Sequence, residues 1–112
     1  MTALSKDRCL PCEGGVPPLG EADVQDGLRE LGSPWKLDVN GHLWGDWSFP
    51  DFRRALAFTN RVGELAEAEN HHPDIQLGWG RVVVSIWTHA IDGLSRNDFI
   101  LAAKISQLPT DS

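Results

Sequence analysis

The chain has 112 residues, a formal net charge of −6 and a hydrophobic content of 41%, enough for one modest core in one small domain. Its cations, among them Lys36, Arg53, Arg54, Arg61, Arg81, Arg96 and Lys104, are scattered, which argues against direct nucleic-acid binding because phosphate contacts need grouped Lys and Arg. No apolar run approaches the roughly 20 residues of a membrane span, and no apolar h-region follows the N-terminus, so no membrane partner is expected and a cytoplasmic location is.

In chain order, residues 1–18 read as a Pro/Gly-rich arm and residues 19–112 as a single domain without repeats. The arm carries Cys9-Leu10-Pro11-Cys12. A C-x-x-C motif can serve redox chemistry in a βαβ context or supply half of a zinc site. Here Gly14-Gly15-Val16-Pro17-Pro18 follows and there is no second cysteine pair. A solvent-side arm without chemistry is the favoured reading, and a metal or thiol role shared between subunits is the other.

Glu21 to Leu31 reads as a short helix with Val24, Leu28 and Leu31 on one face, closed by Gly32. Trp35 to Val39 and His42 to Phe49 read as strands joined by Asn40-Gly41, a strong two-residue hairpin signal. Ser48 is a candidate cap for the next helix, with Asp51 three residues on. Along that helix Phe52, Ala55, Leu56, Thr59, Val62 and Ala66 share a face, and Asn70 and Pro73 end it. A second hairpin runs from Asp74 to Thr88. Ser95-Arg96-Asn97-Asp98 is a capping box opening a last helix, whose Phe99, Ala102, Ala103 and Ile105 turn one way. The order α-β-β-α-β-β-α predicts an α+β fold, a four-stranded antiparallel sheet with helices on one face.

The chemistry concentrates in one place. His71 and His72 precede the second hairpin and His89 follows it. A hairpin returns its far end beside its start, so the three imidazoles are expected to converge, with Glu67 just before them. Imidazole, with an unperturbed pKa of about 6.5, gives and takes protons near neutral pH. Each residue also has a plainer use. A histidine pair at a helix end can cap carbonyls, and Glu67 lies on an acidic stretch with Glu64 and Glu69 that suits a solvated face. Trp79 and Trp87 suit packing as readily as ring stacking, and Trp35 suits the core. Convergence of three histidines favours function over these separate readings. A zinc or iron site is a rival. It is disfavoured because adjacent His71 and His72 project in different directions, whereas helical metal pairs sit at i, i+4.

The run Glu67-Ala68-Glu69-Asn70-His71-His72-Pro73, then Trp79, Trp87-Thr88-His89, Gly93-Leu94-Ser95 and Asp98, resembles the pterin-4a-carbinolamine dehydratases from about Trp35 to the last helix. The resemblance implies dehydration of 4a-hydroxytetrahydropterin to quinonoid dihydropterin, with no metal or organic cofactor, in support of pterin recycling for aromatic amino acid hydroxylases. It places the functional histidines on His71, His72 and His89. Glu67, Asn70, Thr88, Trp35 and Asp98 match its substrate-site positions. Trp79 departs from it, standing where many relatives carry tyrosine. Asp98 keeps two readings, a contact in the site and the N3 partner of Ser95; the box spacing, complete without a substrate, favours the second. The resemblance also implies dimers, often paired into tetramers. The alternative function is a non-catalytic, oligomeric dehydratase-like module for binding or assembly.

Overall fold

The computed structural model describes residues 3–6 and 18–110; Cys9 and Cys12 lie outside the described residues. After a 3-10 turn at Ala3–Lys6 come α1 (Glu21–Leu31), β1 (Lys36–Leu37), β2 (Leu43–Ser48), α2 (Phe52–Glu69), β3 (Asp74–Gly78), β4 (Arg81–Ile86), a 3-10 turn at His89–Ile91 and α3 (Arg96–Ser106). The strands form one antiparallel sheet in the order β1-β2-β4-β3. The α+β class and the element order expected from the sequence hold.

Strand alternation divides the sheet into two faces. Leu43, Trp47, Val82, Val84, Ile86, Ile75 and Leu77 turn inward to the helices, where Phe58, Val62, Phe99, Leu101 and Ile105 complete the core. Asp46 and Arg81 lie on the other face, where the Arg81 guanidinium donates two hydrogen bonds to the Asp46 carboxylate at 2.9 and 2.8 Å. That pairing holds the Asp46 carboxyl below its ordinary 3.8.

Local details depart from expectation for physical reasons. The Asn40-Gly41 turn is longer than a two-residue hairpin. Asp38 N–H donates to His42 O and Gly41 N–H to Asp38 O, while Asp38 Oδ1 accepts from the N–H groups of Asn40 and His42. Gly41, at φ +77°, takes the left-handed position that a turn of this length needs. Ser48 does not cap α2, because it is held in β2 opposite Arg81. Asp51 is the cap, accepting from Arg54 N–H at 2.9 Å. The buried stripe of α2 is Ala55, Phe58, Val62 and Ala66; Phe52 and Leu56 remain 43% and 38% exposed.

Helix α3 is buried around most of its girth. Phe99, Ile100, Leu101, Ala102, Ala103 and Ile105 are all inside this one chain. The apolar surface of α3 is therefore covered by the chain's own sheet and helices.

Candidate active site

The β3–β4 register explains how the site assembles. Asp74 pairs with Ser85; continuing that register past the strand ends brings His71 abreast of Thr88 and His72 abreast of Trp87. On the other side of β4, Leu43 pairs with Ile86, so His42 falls beside Trp87. The end of α2, the entry to β3 and the exit from β4 therefore meet at one edge of the fold. They enclose a cleft of about 400 Å3 lined by Asn70, His71, His72, Trp87, Thr88 and His89 with their neighbours. The three histidines expected to converge are together.

Helix α2 ends at Asn70, whose left-handed φ of 52° turns the chain sharply. The Asn70 N–H bonds Glu67 O and the His71 N–H bonds Ala66 O, fixing the backbone just ahead of the imidazoles. His89 sits in a short loop closed on itself. Thr88 N–H donates to Gly93 O at 2.8 Å, and Ile91 N–H returns to Thr88 O.

Beneath the cleft lies a buried polar network centred on Asp98, which is 0% exposed. Its Oδ1 stands 2.6 Å from His71 Nε2. Its Oδ2 accepts from Thr88 Oγ1 at 2.8 Å and from the Ser95 N–H at 2.7 Å. Ser95 Oγ lies 2.8 Å from Thr88 Oγ1. A carboxylate only accepts, so His71 donates through Nε2–H and presents Nδ1 as its second ring nitrogen. Asp98 thus caps α3 and also meets a cleft histidine. The first was visible as a box spacing; the second depends on a contact between residues 27 apart.

The remaining groups fall into three sets. His72 Nε2 pairs with Glu67 Oε2, which leaves His72 Nδ1 as its other ring nitrogen; both side chains are largely exposed. Asn70 lines the cleft with its amide exposed. Thr88 also lines it but is buried, its hydroxyl engaged by Asp98 and Ser95, so it acts from the wall rather than as an open hydrogen-bonding group. Trp35 is not brought to the cleft. It is buried in the core, its Nε1–H donating to Ser106 Oγ at 2.7 Å and its ring set edge-on to Trp47 at 5.3 Å. Trp79 is exposed at the tip of the β3–β4 turn, away from the lining residues. The neighbouring Gly80 is needed there, since an added Cβ would stand 2.7 Å from Phe49 O.

His42 is the residue that sequence reasoning left aside. Its ring stacks on Trp87 at 4.1 Å and 6°, and Trp87 stacks on His89 at 4.3 Å and 16°. Two imidazoles this close to one indole centre and parallel to it must lie on opposite faces, because side by side on one face they would overlap. Trp87 is therefore enclosed and offers no open face to a substrate ring. The sequence signal was present, since both residues flank a strand pair, but the register was needed to align them.

This sheet, with its helices on one side and its histidine cleft at one end, is the pterin dehydratase fold. A crystal structure of a transcriptional coactivator/pterin dehydratase from Brucella melitensis superposes with a TM-score of 0.74 at 29% identity, covering 80% of this chain and 95% of that one. A pterin dehydratase-like protein identified as a RuBisCO assembly factor in the alpha-carboxysome shares the fold more distantly, with a TM-score of 0.56 at 18% identity, covering 67% of this chain and 88% of that one. The family model for Pterin 4 alpha carbinolamine dehydratase matches residues 17–108. Relatives provisionally named pterin-4-alpha-carbinolamine dehydratase include a Rickettsia bellii protein, 50% identical over 95% of this chain and 94% of its own length. One from Rubrobacter xylanophilus is 48% identical over 96% of this chain and all of its own. The chain belongs to the pterin-4a-carbinolamine dehydratase family, a family of hydro-lyases.

Proposed function

We propose that the cleft dehydrates 4a-hydroxytetrahydropterin to quinonoid dihydropterin and water by histidine acid–base catalysis, supporting pterin recycling. The observation that carries this reading is His71, held by the buried Asp98 carboxylate, in one cleft with His72 and His89. The reaction breaks the C4a–O bond and the N5–H bond and forms C4a=N5. Hydroxide is a poor leaving group, so one protonated imidazole delivers a proton to it and water departs. A neutral imidazole takes the N5 proton. One proton is given and one is taken, with no change of oxidation state across the pair of steps. Positioned proton donors and acceptors contribute on the order of 10²–10⁴ in rate each.

The roles divide by geometry. Asp98 fixes the His71 tautomer and Glu67 holds His72, so each ring turns Nδ1 to proton transfer. Asn70 is the group placed to hydrogen-bond the amide edge of the pterin. Thr88 supports Asp98 rather than the substrate, and Trp35 contributes through the core. The cleft volume falls in the range of small-molecule sites, about 300–1,000 Å3. A purely scaffolding protein has no need of a buried carboxylate aimed at a cleft histidine, which favours catalysis over an assembly role.

The direct test is a dehydration assay with synthetic 4a-hydroxytetrahydropterin, run with and without EDTA. Acceleration over the spontaneous reaction, unchanged by chelation, is the expected result. A rate equal to the uncatalysed one would refute the activity, and loss of rate with EDTA restored by zinc would refute the cofactor-free mechanism.

A further inference from the structure

We infer that His42 is a positioning residue for the cleft, acting through Trp87 to hold the His89 imidazole in place. The inference rests on the reading that His89 takes part in dehydration. Unlike His71 and His72, which are held by Asp98 and Glu67, His89 has no side-chain hydrogen-bond partner at its ring nitrogens among the described residues. Its ring is exposed and lies at the end of β4, outside the sheet hydrogen bonds. What fixes its plane is the indole of Trp87, 4.3 Å away and nearly parallel.

That indole is itself fixed from behind. His42 covers its other face at 4.1 Å and 6°, as a cross-strand neighbour one step beyond the Leu43–Ile86 pair. His42 does not line the cleft. It is anchored in turn. Asp38 Oδ1 accepts the His42 backbone N–H at 3.0 Å, and Asp38 Oδ2 lies 4.0 Å from His42 Nδ1. The side chains of His42 and Asp38 are only 17% and 23% exposed. The order Asp38, His42, Trp87, His89 therefore runs from the turn of the first hairpin to the cleft.

Removing the back plate frees the indole to tilt and carries His89 with it. A misplacement of about 1 Å at a reacting group costs up to about 10²-fold in rate. Since His42 and Trp87 supply flat rings rather than proton transfer, stacking is what must be preserved. A phenyl ring at position 42 keeps the plate and loses the ionisable nitrogens.

The test uses His42→Ala and His42→Phe in the full chain, with two readouts. Side-chain NMR of the imidazoles reports the ring-current shift that Trp87 imposes on His89, with no substrate present. Dehydration kinetics report kcat and KM separately. His42→Ala is expected to move the His89 resonances toward those of an unstacked imidazole and to lower kcat by about 10-fold with KM little changed. His42→Phe is expected to restore both. Wild-type His89 shifts in His42→Ala overturn the proposal, even if the variant is less stable. Equal damage in the Phe and Ala variants also overturns it, because the imidazole itself would then be required. If the wild-type protein fails to dehydrate the pterin, the catalytic reading falls, and the His89 shifts still decide whether His42 positions it.

Discussion

Replacing Asp98 by asparagine separates its structural work from its work on His71. The carboxylate is fully buried and accepts from three groups, the Ser95 N–H, the Thr88 hydroxyl and His71. Asp98→Ala removes the acceptor of the Ser95 N–H and of His71, while the Thr88 hydroxyl keeps its second partner, Ser95 Oγ. Unsatisfied buried donors cost about 1–3 kcal/mol each, and loss of a cap about 0.5–2 kcal/mol, so with partial relaxation the loss is about 3–5 kcal/mol. In Asp98→Asn the amide oxygen still accepts from Ser95 and Thr88. Its NH2 then occupies the place of Oδ1, which lies 2.6 Å from His71 Nε2. Two donors cannot face each other, so His71 must shift its proton to Nδ1, the nitrogen needed for proton transfer. The stability loss should be about 1–2 kcal/mol, since bonds to a charged acceptor become bonds to a neutral one. At roughly 4 °C per kcal/mol, thermal unfolding should show a fall of about 4–8 °C. The dehydration rate should fall by about 10²-fold or more, as when a tautomer-fixing carboxylate is neutralised elsewhere. A folded Asp98→Asn protein with wild-type turnover would refute this account and return Asp98 to capping alone.

Alanine at His71, His72 or His89 should each lower the dehydration rate by about 10-fold or more while the protein stays folded; wild-type rates in all three would end the acid–base reading. Because the Arg81 hydrogen bond lowers the folded Asp46 pKa below 3.8, that carboxylate adds stability above its unfolded pKa, and the contribution disappears as pH falls through the folded value. Asp46→Asn should thus be less stable than wild type at neutral pH and equal to it in strong acid, and a gap that persists below both values in denaturation curves would contradict the assignment. We expect a dimer or tetramer in solution, from the exposed Phe52 and Leu56 on α2 and the outer edges of β1 and β3, unpaired among the described residues; a sedimentation mass near 12.4 kDa at micromolar concentration would exclude it.

Periodicity and punctuation carried most of the fold. The bounds of α1, and the approach of His89 to His71 and His72, followed from helical spacing and from the return of a hairpin. What escaped was decided by competition between local partners. Ser48 and Asp51 are both good caps, and only strand pairing with Arg81 removes Ser48 from the contest. Asn40-Gly41 suits a two-residue turn, yet the Asp38 carboxylate gathers two backbone N–H groups and makes a longer one. Leu56 and Phe58 both suit the apolar side of a helix, and the sheet beneath selects Phe58. In the site, hydrogen bonds across long separations were hidden: Asp98 to His71, and Thr88 to Asp98. His42 was hidden because its importance lies in a stacked ring rather than in its titration.

The closed loop between Thr88 and Gly93 has a thermodynamic consequence. Thr88 N–H reaches Gly93 O across a chain reversal, and Asp92 takes the left-handed backbone at φ 47° to complete it. A six-residue segment carrying His89 is thereby ordered when the sheet forms rather than when a ligand arrives. Fixing one residue's backbone opposes ordering by about 1–2 kcal/mol, so the same segment left slack would subtract several kcal/mol from ligand affinity. Opening such a loop should require partial unfolding of the end of β4, and the amide hydrogen of Thr88 should then exchange with solvent about as slowly as those of the neighbouring strand.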